Sequence, residues 1–140
     1  MKKGYLAISY SNRELFDNEV ECLKKLFYKN DIELFVFVDK YNFRSNQEKE
    51  MMVTAFNEID DTDFLIAELT TKSIGVGIEI GYAFAKKIPI IYLRKKNAEY
   101  STTASGSSTF NLEYENEFDL IESMRSLLSK LNKNYLQQRV

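Results

Sequence analysis

Five short apolar runs, each bounded by polar turn residues, alternate along the chain with stretches of helical period. Tyr5 to Ser9, Leu34 to Val38, Phe64 to Glu68, Ile88 to Leu93 and Thr109 to Tyr114 read as strands. Between the first two, a helix is predicted from about Arg13 to Tyr28, with Leu15, Val20, Leu23, Leu26 and Phe27 on its buried side and Asn30-Asp31 as the turn that ends it. A polar and aromatic loop from Asp39 to Asn46 and a helix from about Gln47 to Ile59 lead to the third strand. A polar loop and a helix containing Tyr82 to Lys87 join the third strand to the fourth, with Glu79 expected in the first turn of that helix. Ser101 to Ser108 is a hydroxyl-rich connection. The last helix, about Glu117 to Leu131, turns Leu120, Ile121, Met124, Leu127, Leu128 and Leu131 inward, and the polar tail from Asn132 to Val140 is expected to fray.

Strands alternating with helices imply a parallel sheet covered on both faces and joined by right-handed crossovers. The expected architecture is a flavodoxin-like three-layer α/β sandwich with a five-stranded parallel sheet in the order 2-1-3-4-5, forming one domain over residues 1–140. Such an order makes the carboxyl ends of the first, third and fourth strands converge. Ser9 to Arg13, Thr70 to Glu79 and the segment around Ser101 would then meet, and those are the loops richest in hydroxyls. Hydroxyls, backbone amides and one arginine beside a helix start suit a phosphate.

Composition removes several kinds of chemistry. The chain has 140 residues, is 44% hydrophobic and carries a formal net charge of −2. It has no histidine, so serine–histidine triads, cysteine–histidine pairs and the common zinc sites are excluded. Chemistry must come from carboxylates, tyrosines, lysines or hydroxyls. No basic stripe suggests a nucleic-acid footprint, no stretch is long enough to span a membrane, and Met1-Lys2-Lys3 runs into a short strand rather than a signal peptide. The single cysteine, Cys22, excludes an internal disulfide and reads as a small core or boundary residue. The expected location is the cytoplasm. The acidic run Asp60-Asp61-Thr62-Asp63 reads as a solvated turn rather than a metal site, and nothing in the pattern asks for a cofactor.

The stretch from Thr70 to Ala83 carries the candidate chemistry. Ile78, Ile80, Tyr82 and Ala83 surround Glu79 with apolar side chains, while Gly75 and Gly77 leave room for close approach of backbone or ligand. Low hydration raises the pKa of a carboxyl and a nearby helix start lowers it, so the pattern alone leaves the sign open. Gly75, Gly77 and Gly81 imitate a dinucleotide-binding fingerprint, but six residues, Leu69 to Ile74, separate them from their strand, and the unit is the third rather than the first.

Ala67-Glu68-Leu69-Thr70, then Ser73-Ile74-Gly75-Val76-Gly77-Ile78-Glu79-Ile80-Gly81-Tyr82-Ala83, then Pro89-Ile90-Ile91-Tyr92-Leu93 and a later Ser101 resemble the nucleoside 2-deoxyribosyltransferase family, on the side of its 2′-deoxynucleoside 5′-phosphate N-hydrolases. The resemblance implies that Glu79 attacks the anomeric carbon of a nucleoside or nucleotide and expels the base, leaving a covalent glycosyl-enzyme for water or a second base. It places Tyr5 beside the sugar and the catalytic carboxylate. It also assigns the 5′-phosphate to Ser9, Ser73 and Ser101, with Arg13 a looser match, and implies a homodimer in which Ser101 comes from the neighbouring subunit.

One departure is visible. The family's aspartate on the helix before the third strand, which orients the sugar and assists proton transfer to the base, falls on Ala55. Glu58, three residues on and on nearly the same helical face, is the candidate substitute. Two other readings follow. Ala7-Ile8-Ser9-Tyr10-Ser11 with Phe35-Val36-Phe37-Val38-Asp39 is similar to the opening of TIR domains, some of which use a glutamate to cleave NAD. Ala55 also permits a nucleotide-binding module without turnover.

Overall fold

Five parallel strands carry the architecture: β1 (Lys2–Ala7), β2 (Ile32–Val36), β3 (Phe64–Glu68), β4 (Ile90–Lys95) and β5 (Phe110–Tyr114), hydrogen-bonded in the order β2-β1-β3-β4-β5. They come from a computed structural model that describes residues 1–131, so the tail from Asn132 to Val140 lies outside the described residues. Among the described residues, helices α1 (Asp17–Lys29), α2 (Phe37–Lys40), α3 (Glu48–Asp60), α4 (Ile74–Ala85) and α5 (Thr102–Ser107) lie between the strands and α6 (Glu117–Leu131) follows the last one. The fold is the expected flavodoxin-like one.

Alternation along the strands sorts side chains into two apolar layers. Leu6, Val36, Ile66 and Leu93 face α1 and α6, where Val20, Phe27, Leu120, Met124 and Leu128 close the layer. Tyr5, Ala7, Phe35, Leu65, Ala67 and Tyr92 face the other way, against Ala55 and Ile59 of α3, Val76, Ile80 and Ala83 of α4 and Ala104 of α5. Tyr5 therefore lies on a central strand beneath α3 and α4.

Where the structure departs from the periodicity, local geometry explains it. Tyr10–Phe16 forms a 3-10 segment rather than the start of the first α-helix. Three residues per turn shift the phase of the side chains, so Leu15 is 72% exposed and Phe16 is the buried one at 5%. The second strand begins at Ile32 and stops at Val36, and the apolar run continues as the one-turn α2, which keeps Phe37 buried. Pro89 has no N–H to give a ladder, so β4 starts after it and runs on through Arg94 and Lys95, which pair with Glu113 and Tyr114 of β5. The first strand similarly begins earlier than expected, because Lys2 and Lys3 pair with Ile32 and Glu33.

Gly4 marks a tight spot. A Cβ there would lie 2.5 Å from Cζ of Phe64, the residue opposite it on β3, and that ring packs on Phe27 with centroids 5.6 Å apart. Gly4→Ala is expected to cost about 1–3 kcal/mol through overpacking, read as a lower urea midpoint at unchanged slope.

Candidate active site

Glu79 is set in place by α4, and α4 begins earlier than its glycines suggest. The Ser73 hydroxyl accepts the Val76 N–H at 3.3 Å, so the helix starts at Ile74 and Glu79 is its sixth residue. That puts the carboxylate in the second turn rather than the first, and the helix-end effect falls off within the first turn. Burial then decides the sign left open by the sequence. Desolvation raises the Glu79 pKa to about 7, and a hydrogen bond from Tyr5 opposes it.

The Tyr5 phenol donates to Oε2 of Glu79 across the gap between β1 and α4. Tyr5 is fully buried. Burial, then the Glu79 charge and hydrogen bond, and finally Glu58, push its pKa far above the ordinary phenol value. The phenol therefore keeps its proton and acts as a fixed donor to the carboxylate.

The other residues singled out by sequence fall into separate groups. Ser9 follows β1, with its hydroxyl 3.0 Å from that of Ser11. Ser73 lies beyond β3, the neighbour of β1, so both serines stand at the carboxyl edge of the sheet, where α/β folds bind ligands. Arg13 is already engaged: Nε and Nη2 donate to the two oxygens of Asp39 at 2.8 Å each, and Nη1 donates to Asp17 at 2.8 Å. Glu58 accepts from Lys3 Nζ at 2.7 Å and from the Tyr41 hydroxyl at 2.7 Å. Burial raises its pKa, but those two donors outweigh it and hold the carboxyl below its usual range. Ala55 is 2% exposed and packs in the same apolar layer as Tyr5.

Ser101 caps α5, accepting the Ala104 N–H at 3.1 Å, while its own N–H donates to the Tyr92 hydroxyl at 3.0 Å. The expected hydroxyl-rich loop is thus a short helix. A cavity of about 410 Å³ separates α5 from α4, lined by Lys72, Ser73, Gly77, Gly81, Ser101 and Thr103 among others. Two residues along a helix is about 200° around it, so Gly77 and Gly81 look away from the side that carries Glu79. A Cβ at Gly77 would meet nothing within 4 Å, and at Gly75 only the Ser73 hydroxyl at 3.9 Å, so these glycines border open space.

One contributor escaped the sequence reading. Glu68 ends the apolar strand β3 and is buried; Oε1 accepts the Thr70 N–H at 2.6 Å and Oε2 the Tyr114 hydroxyl at 3.1 Å. Burial raises its pKa against those hydrogen bonds. The Thr70 hydroxyl in turn accepts the Lys95 N–H at 2.9 Å, so Glu68 ties down the loop that delivers Ser73. A charged residue closing an otherwise apolar strand was the available signal.

A flavodoxin-like sheet with a raised-pKa carboxylate on a helix at its carboxyl edge defines a class of α/β sites built around one acidic side chain. The chain belongs to the nucleoside 2-deoxyribosyltransferase family, whose profile matches residues 5–128. A protein of Syntrophotalea carbinolica, named as a candidate 2′-deoxynucleoside 5′-phosphate N-hydrolase 1, is 48% identical over 46 residues. That match spans 33% of this chain and 32% of the relative's length. Among solved structures, a CMP N-glycosidase of Clostridium botulinum superposes with a TM-score of 0.68 at 21% identity, covering 90% of this chain and 99% of the other. A conserved protein of Enterococcus faecalis V583 gives 0.69 at 21% identity, covering 91% and 99%. A 2-deoxyribosyltransferase of Bacillus psychrosaccharolyticus gives 0.65 at 13% identity, covering 85% and 90%. At these identities the structural likenesses establish the fold. Among the described residues no helix is long and apolar enough to cross a membrane.

Proposed function

We propose that the chain cleaves the N-glycosidic bond of nucleosides or nucleoside 5′-monophosphates through a covalent glycosyl ester on Glu79. The observation that carries this reading is the carboxylate itself, partly buried, bonded to one buried phenol and set in the Ser73 to Ala83 run. A partly desolvated carboxylate is a better nucleophile than a hydrated one, and the Tyr5 donor fixes which oxygen remains free to attack. The names of the relatives point to the same bond: a CMP N-glycosidase and a 2-deoxyribosyltransferase among the folds, and an N-hydrolase by sequence.

In this reading Ser9 and Ser73 bind the 5′-phosphate at the sheet edge, and Gly75, about one turn before Glu79 on the same side of α4, leaves the sugar room, while Gly77 borders the cavity on the far side. Arg13 reaches the phosphate only by exchanging Asp39 and Asp17 for it. Glu58, held ionised by Lys3 and Tyr41, supports Tyr5 electrostatically rather than donating a proton. Base release from a panel of deoxy- and ribonucleoside 5′-monophosphates, with NAD alongside, tests the reading. Release that requires Glu79 supports it. Nucleotide binding without any release would instead make the chain a silent binding module, and release from NAD alone would make it a dinucleotide glycohydrolase.

The working unit in this proposal is a homodimer that supplies Ser101 across its interface. Within one chain Ser101 borders the cavity on the side of α4 away from Glu79, and α4 leaves Ile74 86% exposed and Ile78 46% exposed for a second copy to cover. Glu79→Ala and Ser101→Ala are each expected to be impaired alone. Mixed and re-annealed, they are expected to regain about a quarter of wild-type activity, since half the dimers then hold one intact site of two. No recovery would place Ser101 in its own subunit's site.

A further inference from the structure

Among the described residues of its own subunit, Glu79 has one ionisable partner, the Tyr5 phenol. The other acids and cations singled out above are engaged elsewhere. Glu58 is held by Lys3 and Tyr41, Arg13 by Asp39 and Asp17, and Asp60 by the Tyr82 hydroxyl at 2.8 Å. Position 55, which packs in the same layer as Tyr5, offers only a methyl group.

This arrangement bears on the leaving group. A neutral nucleobase departs with the electron pair of the C1′–N bond and needs a proton or hydrogen-bond donor to accept the charge. The Tyr5 phenol does not supply that proton, because losing it would set a phenolate against the Glu79 carboxylate in a buried place. Glu58 is an anion bound to a lysine and has no proton to give. A base that already carries a positive charge needs neither, since the departing electron pair neutralises it.

We propose that this site, taken as the N-glycosidase centre above, is built for nucleotides whose base is a cation, such as an N-alkylpyridinium or an N-alkylated purine. The proposal rests on that reading and specifies its substrate class. A Glu79 oxygen forms a bond to C1′ while the C1′–N bond breaks and its pair passes to the ring nitrogen, so a cation and a carboxylate become a neutral base and a neutral ester. Water then attacks C1′, the ester pair returns to Glu79 and the water's proton leaves to solvent. The sum is cationic nucleotide plus water giving sugar phosphate, neutral base and one proton. Binding also prepares the nucleophile: a cation within about 4–6 Å of a carboxyl favours its ionised form, which burial disfavours in the empty site.

The test compares nicotinamide mononucleotide and 7-methylguanosine 5′-monophosphate with GMP, CMP and their deoxy forms, at pH 6, on the unaltered chain and on Glu79→Gln. Each rate is divided by the spontaneous rate of the same compound. The expected result is an enhancement at least about 100-fold larger for the cationic nucleotides than for the best neutral one, abolished in Glu79→Gln. The reduced dihydropyridine form of nicotinamide mononucleotide, neutral and similar in shape, is expected to bind at least about tenfold more weakly. Neutral nucleotides enhanced equally or better, and still dependent on Glu79, would overturn the substrate class and leave the glycosidase reading standing. Absence of Glu79-dependent release from every compound would overturn both.

Discussion

Glu79→Gln is expected to lose about 10⁴-fold or more in base release and at the same time to make the protein more stable at alkaline pH. The first effect follows from the role: an amide of the same shape cannot form the glycosyl ester, and removal of a nucleophile typically removes most of the chemical rate enhancement. The second follows from burial. The folded pKa of Glu79 is about 7, above the ordinary carboxyl value of 4.5. Below about pH 4.5 the group is protonated whether folded or unfolded, and it contributes nothing. Between the two values the unfolded chain releases a proton that the folded chain retains, so stability falls as pH rises, and above about pH 7 the full penalty applies. Its size is on the order of 3 kcal/mol. Glutamine removes it, so urea unfolding should favour Glu79→Gln at pH 8 and find no difference at pH 4. A variant that lost activity and was also less stable at pH 8 would mean that Glu79 serves the fold.

Activity should rise with pH through about 7 on a neutral nucleotide, because the nucleophile is the ionised carboxylate. Tyr5→Phe should move that rise to higher pH. Among the described residues the phenol donates the one hydrogen bond that favours the charged form, so without it burial acts unopposed. At pH 7 the variant is expected to lose about 10- to 100-fold, and part of the loss should return as pH is raised toward 9. A loss independent of pH would mean that Tyr5 acts on the sugar rather than through Glu79.

How much of this was legible in the sequence depended on how local each cause is. The third strand and the last helix were read with their observed bounds, because Phe64–Glu68 is a closed apolar run and Glu117–Leu131 keeps a clean helical period. The start of α4 was not legible in this way. Gly75 and Gly77 argue for loop, since each glycine costs a helix about 1 kcal/mol, but the Ser73 cap and the burial of Val76, Ile80 and Ala83 against the sheet prevail. The segment after Ser101 misled for the same reason, with its cap and the buried Ala104 outweighing a serine-rich composition.

The site divides along the same line. Glu79 stood out through its own run of residues, but its partner Tyr5 is 74 positions away and was reached by resemblance rather than by pattern. The pairings that commit Arg13 to Asp39 and Glu58 to Lys3 span 26 and 55 positions, and no periodicity reports them. They matter because they decide whether Arg13 and Glu58 are free to meet a substrate.

The most direct test of Glu79 as a nucleophile is to trap the ester. The protein is incubated with a 2′-fluorinated nucleoside 5′-monophosphate, whose electron-poor sugar slows the second step, and its intact mass and peptide map are measured. An increase equal to one fluorinated sugar phosphate, located on the peptide containing Glu79 and missing in Glu79→Gln, is the predicted result. Base release without any adduct, or an adduct on another residue, would contradict it.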